Sequence, residues 1–181
     1  LADGYFVLPY TIGDYLSKEI SNEVVSVEHD EFLKTKNKVK EISKRLIKNN
    51  GKQSVESLHK KLGKIIWDNC GMARNEKDLK MSLDQLSELK NEFWNDVKVL
   101  GSMNSFNPEL SKAERLADFI ELGELMIYDA LDREESCGGH FREEYQTKEG
   151  EALRNDKDFL YVSAWEYSNC LLYTSDAADD L

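Results

Sequence analysis

Asn75-Glu-Lys-Asp78-Leu79-Lys-Met-Ser-Leu83-Asp-Gln-Leu86-Ser-Glu-Leu-Lys-Asn-Glu-Phe93-Trp-Asn-Asp-Val97-Lys-Val-Leu100 is the stretch that decides the fold. Leu79, Leu83, Leu86, Phe93, Val97 and Leu100 follow mixed spacing of three and four, which lines one face of an α-helix. Asn75, with Asp78 three residues on, supplies an N-terminal cap. Gly101 and Ser102 supply the stop.

The same period extends to both sides. Upstream, Ser54 caps a helix that buries Val55, Leu58, Leu62, Ile65 and Ile66 and ends near Asn69-Cys70-Gly71. Before it, a helix runs from about Asp30 to Lys48 with Phe32, Val39, Ile42 and Leu46 inward. Asn49-Asn50-Gly51 stops it, because Asn and Gly tolerate the left-handed conformation. Residues 2–20 place Tyr5, Leu8, Ile12 and Leu16 on one side, with a kink or a helix start near Pro9 and Asp3 as a cap. Residues 21–29 read as a linker. Downstream, Ser111-Lys-Ala-Glu114 has the form of a capping box, followed by Leu116, Ile120, Gly123, Ile127 and Leu131 on one face. Residues 137–158 have no period, and Phe159 to Tyr167 has the aromatic and β-branched content of a strand. The fold class is therefore mainly α: an antiparallel bundle of three or more helices over 30–136, then an extended, partly β segment over 137–167.

Composition agrees. Charged residues make up 33% of 181, with only two prolines and ten glycines, a helix-favouring balance. The net charge of −11 excludes a general nucleic-acid binder, which needs a cationic surface. Residues 34–64 nevertheless carry eleven Lys and Arg against Glu41 and Glu56. That stretch is either a solvated helical face or a docking surface for an acidic partner, and the second option would make this chain a stand-alone helical interaction module. No apolar run approaches the ~20 residues needed to span a bilayer. Cys70, Cys137 and Cys170 are scattered, which suits a reduced compartment better than a disulfide framework.

Constellations with chemical potential are sparse. Glu56 and His59 have the Glu-x-x-His spacing of a di-iron helix, but no second copy exists. Cys137 and His140 are too few ligands for structural zinc, and no residue next to them orients the histidine as a base. No glycine loop lies between a strand and a helix as a phosphate cradle requires. The residues alone assign no catalytic, cofactor-binding or metal position.

Four segments resemble one family in the right order. Leu1-Ala-Asp-Gly-Tyr-Phe-Val-Leu-Pro-Tyr-Thr-Ile-Gly-Asp-Tyr-Leu16 is similar to the helix after the last FAD-contacting loop of succinate dehydrogenase and fumarate reductase flavoproteins. Lys61 to Asn75, with Gly71-x-x-Arg74, resembles the second helix of their C-terminal domain. Glu135-Ser-Cys-Gly-Gly-His-Phe-Arg-Glu-Glu144 resembles their Glu-Ser-Arg-Gly-x-His-x-Arg segment, with Cys137 in place of the usual arginine. Asp158 to Tyr167, including Ser163-Ala-Trp-Glu-Tyr167, is similar to the tail of the Bacteroidetes-like branch. Cys170 to Leu181 does not resemble the family, and residues 168–181 read as a non-native or disordered tail, unpaired with the bundle.

The resemblance implies a parent flavoprotein subunit that interconverts succinate and fumarate by hydride transfer with FAD. It implies an iron–sulfur subunit and a membrane quinone-reactive subunit as partners, at the cytoplasmic face of the inner membrane. It places the substrate and flavin residues upstream of Leu1, so that the fragment binds no FAD and is inactive. Residues 1–20 would close the FAD-binding domain, exposing Tyr5, Phe6 and Leu8 when that cover is missing. His140, Arg142 and Arg74 would make interdomain contacts with the rest of the flavoprotein chain.

Overall fold

Helices form over each stretch with an apolar period, and two of them carry the predicted caps, Ser54 and Asn75. The computed structural model describes residues 1–19, 24–168 and 171–176, with side chains through Glu166. These fall into two units, Leu1–Glu41 and Ile42–Leu181. Residue 20 of the expected first segment, 21–23 of the expected linker, and 169–170 and 177–181 of the expected tail lie outside the described residues.

The first unit opens with a helical run interrupted at Pro9. A wide five-residue turn, Asp3–Val7, leads into the α-turn α1 (Leu8–Tyr10) and a second wide turn, Thr11–Tyr15. Pro9 has no N–H for the regular ladder, and the chain shifts register around it: Leu8 N–H donates to Asp3 O, five residues back. Asp3 does not cap this run; Ala2 holds that position in a helical conformation, and Asp3 lies in the first turn. No described residue of Leu1–Glu41 is buried, and Tyr5, Phe6 and Leu8 are exposed. Helix α2 (Asp30–Lys48) begins here, and its Phe32 and Val39 are exposed rather than inward. An apolar stripe becomes core only where another face covers it, and this one is buried only at its C-terminal end, where Leu46 is 1% exposed.

The second unit supplies that cover. Ser54 caps α3 (Val55–Asn69), its hydroxyl accepting from Ser57 N–H at 3.1 Å. Asn75 caps α4 (Glu76–Asp96) through Asp78 N–H at 2.9 Å. Leu58, Leu62, Leu79, Leu86, Phe93, Leu116, Ile120 and Ile127 interlock in the core, each contributing roughly 1.5–3 kcal/mol of burial. Helix α4 runs back along α3, with Lys61 Nζ reaching Glu92 Oε1 at 2.6 Å. Helix α5 (Pro108–Asp132) then runs with α3: His59 stacks on Phe119 at 5.5 Å, and Gly123 lies against Ile66 and Leu62. The result is the expected antiparallel bundle.

Three local expectations are corrected. Helix α4 stops at Asp96, not at Gly101, and Leu100 is exposed. Val97 and Val99 are buried in alternation because Val97–Lys98 is a strand, β2, parallel to β1 (Gln53–Ser54); a period of two continued the helical count by coincidence. Gly51 serves this junction by close approach rather than by a left-handed φ, since an added Cβ would lie 1.9 Å from Asp96 O. Helix α5 starts at Pro108, capped by Asn107 Oδ1, which accepts from Glu109 and Leu110 N–H. Ser111 is therefore inside the helix, and Glu114 instead accepts from Ser43 Oγ at 2.6 Å. The Asn-Pro pair was the better start signal, because proline at the first helical position loses no hydrogen bond.

Beyond α5 the chain turns repeatedly, forms α6 (Asp156–Phe159) and enters β3 (Ser163–Ser168), so only the second half of 159–167 is strand. β3 pairs antiparallel with β4 (Leu171–Asp176), which together with Ser168 is the described part of the expected tail.

Two substitutions test these assignments in thermal unfolding of the chain. Asn107→Ala should cost about 1 kcal/mol as a lost cap, while Ser111→Ala stays within about 0.5 kcal/mol. Gly51→Ala should cost about 1–3 kcal/mol as an overpacked contact with backbone.

Candidate functional site

The C-terminal turn of α5 leaves carbonyl oxygens without helical partners. Arg142, only 2% exposed, takes two of them: its Nη1 donates to Ala130 O at 2.8 Å and to Leu131 O at 3.3 Å. A cation at this end also opposes the helix dipole. Arg142 Nε reaches Glu144 Oε2 at 3.2 Å, and the guanidinium lies over the Tyr145 ring. The fully buried Ser136 hydroxyl bonds both the backbone N–H and the carbonyl of Arg142.

A tight turn brings this segment back. Cys137 and His140 exchange backbone hydrogen bonds of 2.8 and 3.0 Å. Gly138 at φ +59° adopts a conformation costly for other residues. Arg142 then runs beside Arg74, with Arg74 N–H donating to Phe141 O and Glu143 N–H to Arg74 O. The His140 ring sits between two arginines. Its Nδ1 is 3.2 Å from Arg74 Nη1 and its Nε2 is 2.9 Å from Arg133 O. Guanidinium only donates and a carbonyl only accepts, so this arrangement assigns a neutral ring with the proton on Nε2. Burial pushes the His140 pKa down; the bond to Arg133 O opposes this, while the Arg74 and Arg142 charges add to it.

The far side of the junction is the start of α4. Glu144 Oε1 accepts from Glu76 N–H, and Asn75 Nδ2 donates to Glu143 Oε2 at 3.1 Å. Partial burial pushes the Glu144 carboxyl up, but the backbone N–H bonds and Arg142 outweigh it and hold the group low. Arg133 pairs with the buried Glu135 at 2.6 Å and donates to Tyr161 O, and Glu135 accepts from Asn155 N–H. The three residues expected as contacts, Arg74, His140 and Arg142, thus meet at one place, where the end of α5 is joined to the start of α4. Arg133, Glu135, Ser136 and Glu144 complete the cluster and were not singled out from sequence. The legible signal for Glu144 was its position two residues after Arg142 in an extended stretch, which puts both on one side.

The other sequence candidates do not assemble. Glu56 pairs with Lys60, and His59 stacks on Phe119. Both His140 nitrogens are engaged, so no lone pair faces the Cys137 thiol as a base. Among the described residues, no group of three His, Cys, Asp or Glu side chains gathers around a metal position. In the basic stretch, Lys34, Lys60, Lys61 and Lys64 sit in ion pairs with Glu31, Glu56, Glu92 and Asp68. Its remaining cations are divided between the two units. Among the described residues, no helix is long and apolar enough to cross a membrane.

The bundle and the junction define a helical domain closed by its own C-terminal segment, and comparison with known proteins gives it a family. A model described as fumarate reductase flavoprotein C-term matches residues 59–175, and the chain belongs to that family. The match runs past Tyr167, where the resemblance was read to end. The fumarate reductase flavoprotein subunit of a Serratia species is 30% identical over 115 residues, covering 64% of this chain and 18% of that protein. A solved quinol–fumarate reductase with menaquinol molecules shares the fold at TM-score 0.70 and 21% identity, over 87% of this chain and 26% of the other. Mycobacterium smegmatis Sdh1 aligns at TM-score 0.64 and 25% identity, over 79% of this chain and 23% of the other. The chain thus spans about a fifth of the length of the curated relatives it matches.

Arg142→Ala should cost about 3 kcal/mol or more in denaturant unfolding, the scale for breaking a buried charged network. His140 gives a pH signature. Its folded pKa lies below the ordinary 6.5, so its contribution is fully present above pH 6.5 and is lost as pH falls and the unfolded chain takes up the proton first. The unfolding midpoint should therefore drop between pH 7.5 and 5.5, and His140→Gln should flatten that part of the curve.

Proposed function

We propose that this chain is the C-terminal helical part of a flavoprotein subunit whose parent interconverts succinate and fumarate. The carrying observation is the family match across 59–175. FAD in the parent supplies the hydride-accepting and hydride-donating chemistry, and electrons pass through an iron–sulfur subunit to a membrane quinone-reactive subunit. The complex sits at the cytoplasmic face of the inner membrane, and this subunit is peripheral through its partners.

Within that parent, residues 1–20 end the FAD-binding domain, 21–29 link, 30–136 form the bundle and 137–167 wrap it. The exposed apolar run Tyr5, Phe6, Leu8, Tyr10 and Ile12 supports this reading, since a helix apolar on several sides belongs inside a larger body. Arg74 and His140 form the contact with the rest of the flavoprotein chain, and Arg142 holds the segment from within. The residues that bind flavin and substrate belong to the rest of the parent. The 181-residue chain is by itself inert.

Two preparations test this. The flavoprotein subunit that ends in this chain should purify with a flavin absorbance band and reduce fumarate with a reduced viologen dye. The 181-residue chain should purify colourless and take up no FAD on titration. A flavin-loaded subunit inactive on both succinate and fumarate would overturn the assignment, as would stoichiometric FAD on the isolated chain.

A further inference from the structure

The bundle carries two grooves. Between α3 and α4 the lining mixes apolar Ile65, Met81 and Leu89 with charged Lys61, Glu88 and Glu92. Between α3 and α5 it is formed by His59, Gly63, Ile66, Phe119, Leu122 and Met126, with no Asp, Glu, Lys or Arg in the lining.

The exposure is substantial at each apolar position: Phe119 is 43%, Leu122 51% and Met126 44% exposed. Trp67, one turn beyond Gly63, is 82% exposed. Contiguous apolar surface of this kind marks an interaction site. At about 240 Å³ the groove falls below the roughly 300–1,000 Å³ typical of small-molecule sites, so side chains of a docking surface fit it better than a free ligand. Gly63 widens the approach, since a Cβ placed there would meet nothing within 4 Å, which leaves the α3 backbone open to a partner.

We propose that this α3–α5 groove is the face against which the larger remainder of the flavoprotein subunit packs, through an apolar, uncharged surface of its own. The proposal rests on the chain being the C-terminal part of such a subunit. The occupant follows from two observations. The curated relatives hold about four fifths of their length outside the matched region, so a body several times larger is joined to this domain. The uncharged lining selects an apolar face of that body over a nucleic acid or a charged peptide. This contact is separate from the arginine–histidine junction at the end of α5.

Thiol labelling tests it. Leu122→Cys, and Gln85→Cys in the α3–α4 groove as control, are made separately in the 181-residue chain and in the complete flavoprotein subunit. Each is pulsed with a maleimide and read by peptide mass spectrometry, which separates the introduced thiol from the native ones. Position 122 should label freely in the isolated chain and roughly tenfold or more slowly in the complete subunit, where only local opening admits the reagent. Position 85 should label alike in both. Equal labelling at 122 in a subunit that holds flavin and reduces fumarate would overturn the docking face and leave the functional assignment standing. A complete subunit without flavin or activity would overturn both. Protection at 122 in the isolated chain that grows with concentration would identify a second copy as the occupant and overturn the proposal.

Discussion

Arg142 is the residue on which the C-terminal half of this domain depends. A guanidinium that is nearly inaccessible to water must find acceptors within the protein, or its burial becomes prohibitively costly. The acceptors are the carbonyls of Ala130 and Leu131, left free because α5 ends there. One cation thus satisfies two orphan groups, opposes the helix dipole and ties residues 136–145 to the bundle. Ser136 then orients the Arg142 backbone, and Glu144 carries the charge pairing on to the first turn of α4. The two helix ends are joined through side chains from a segment that has no regular secondary structure of its own.

His140 shows how such a cluster limits chemistry. An imidazole that accepts from Arg74 and donates to Arg133 O has both nitrogens committed, and burial, with the neighbouring cations adding to it, favours its neutral form. The ring is thereby held in place within the segment that resembles the family's Glu-Ser-Arg-Gly-x-His-x-Arg stretch. Beyond this cluster, the α3–α5 groove and the N-terminal run leave apolar side chains exposed.

Much of this was legible from residues alone. Ser54 and Asn75 were readable as caps because a short side-chain oxygen before an apolar period has one low-energy use, and the structure uses it. The core faces of α3, α4 and α5 were readable because burial follows helical spacing wherever a partner helix is present. The failures share a cause, which is that local pattern cannot see tertiary cover. Phe32 and Val39 continue the stripe of α2 but lie where nothing is buried. Val97 matched the helical count while belonging to a strand that pairs with Gln53, more than forty residues away. Glu114 sits where a capping box would use it, but bonds Ser43 instead.

The sequence by itself determined the mainly helical class, most helix boundaries and the family, because these rest on spacing, capping chemistry and motif order along the chain. Only the tertiary structure decided which polar residues matter together. Arg74 and His140 are 66 positions apart, and no local rule connects them. Their meeting depends on where α4 begins, where α5 ends and how a glycine turn at 138 reverses the chain between those points. The same holds for the apolar groove: Gly63 and Leu122 are ordinary residues on separate helices until α3 and α5 pack side by side.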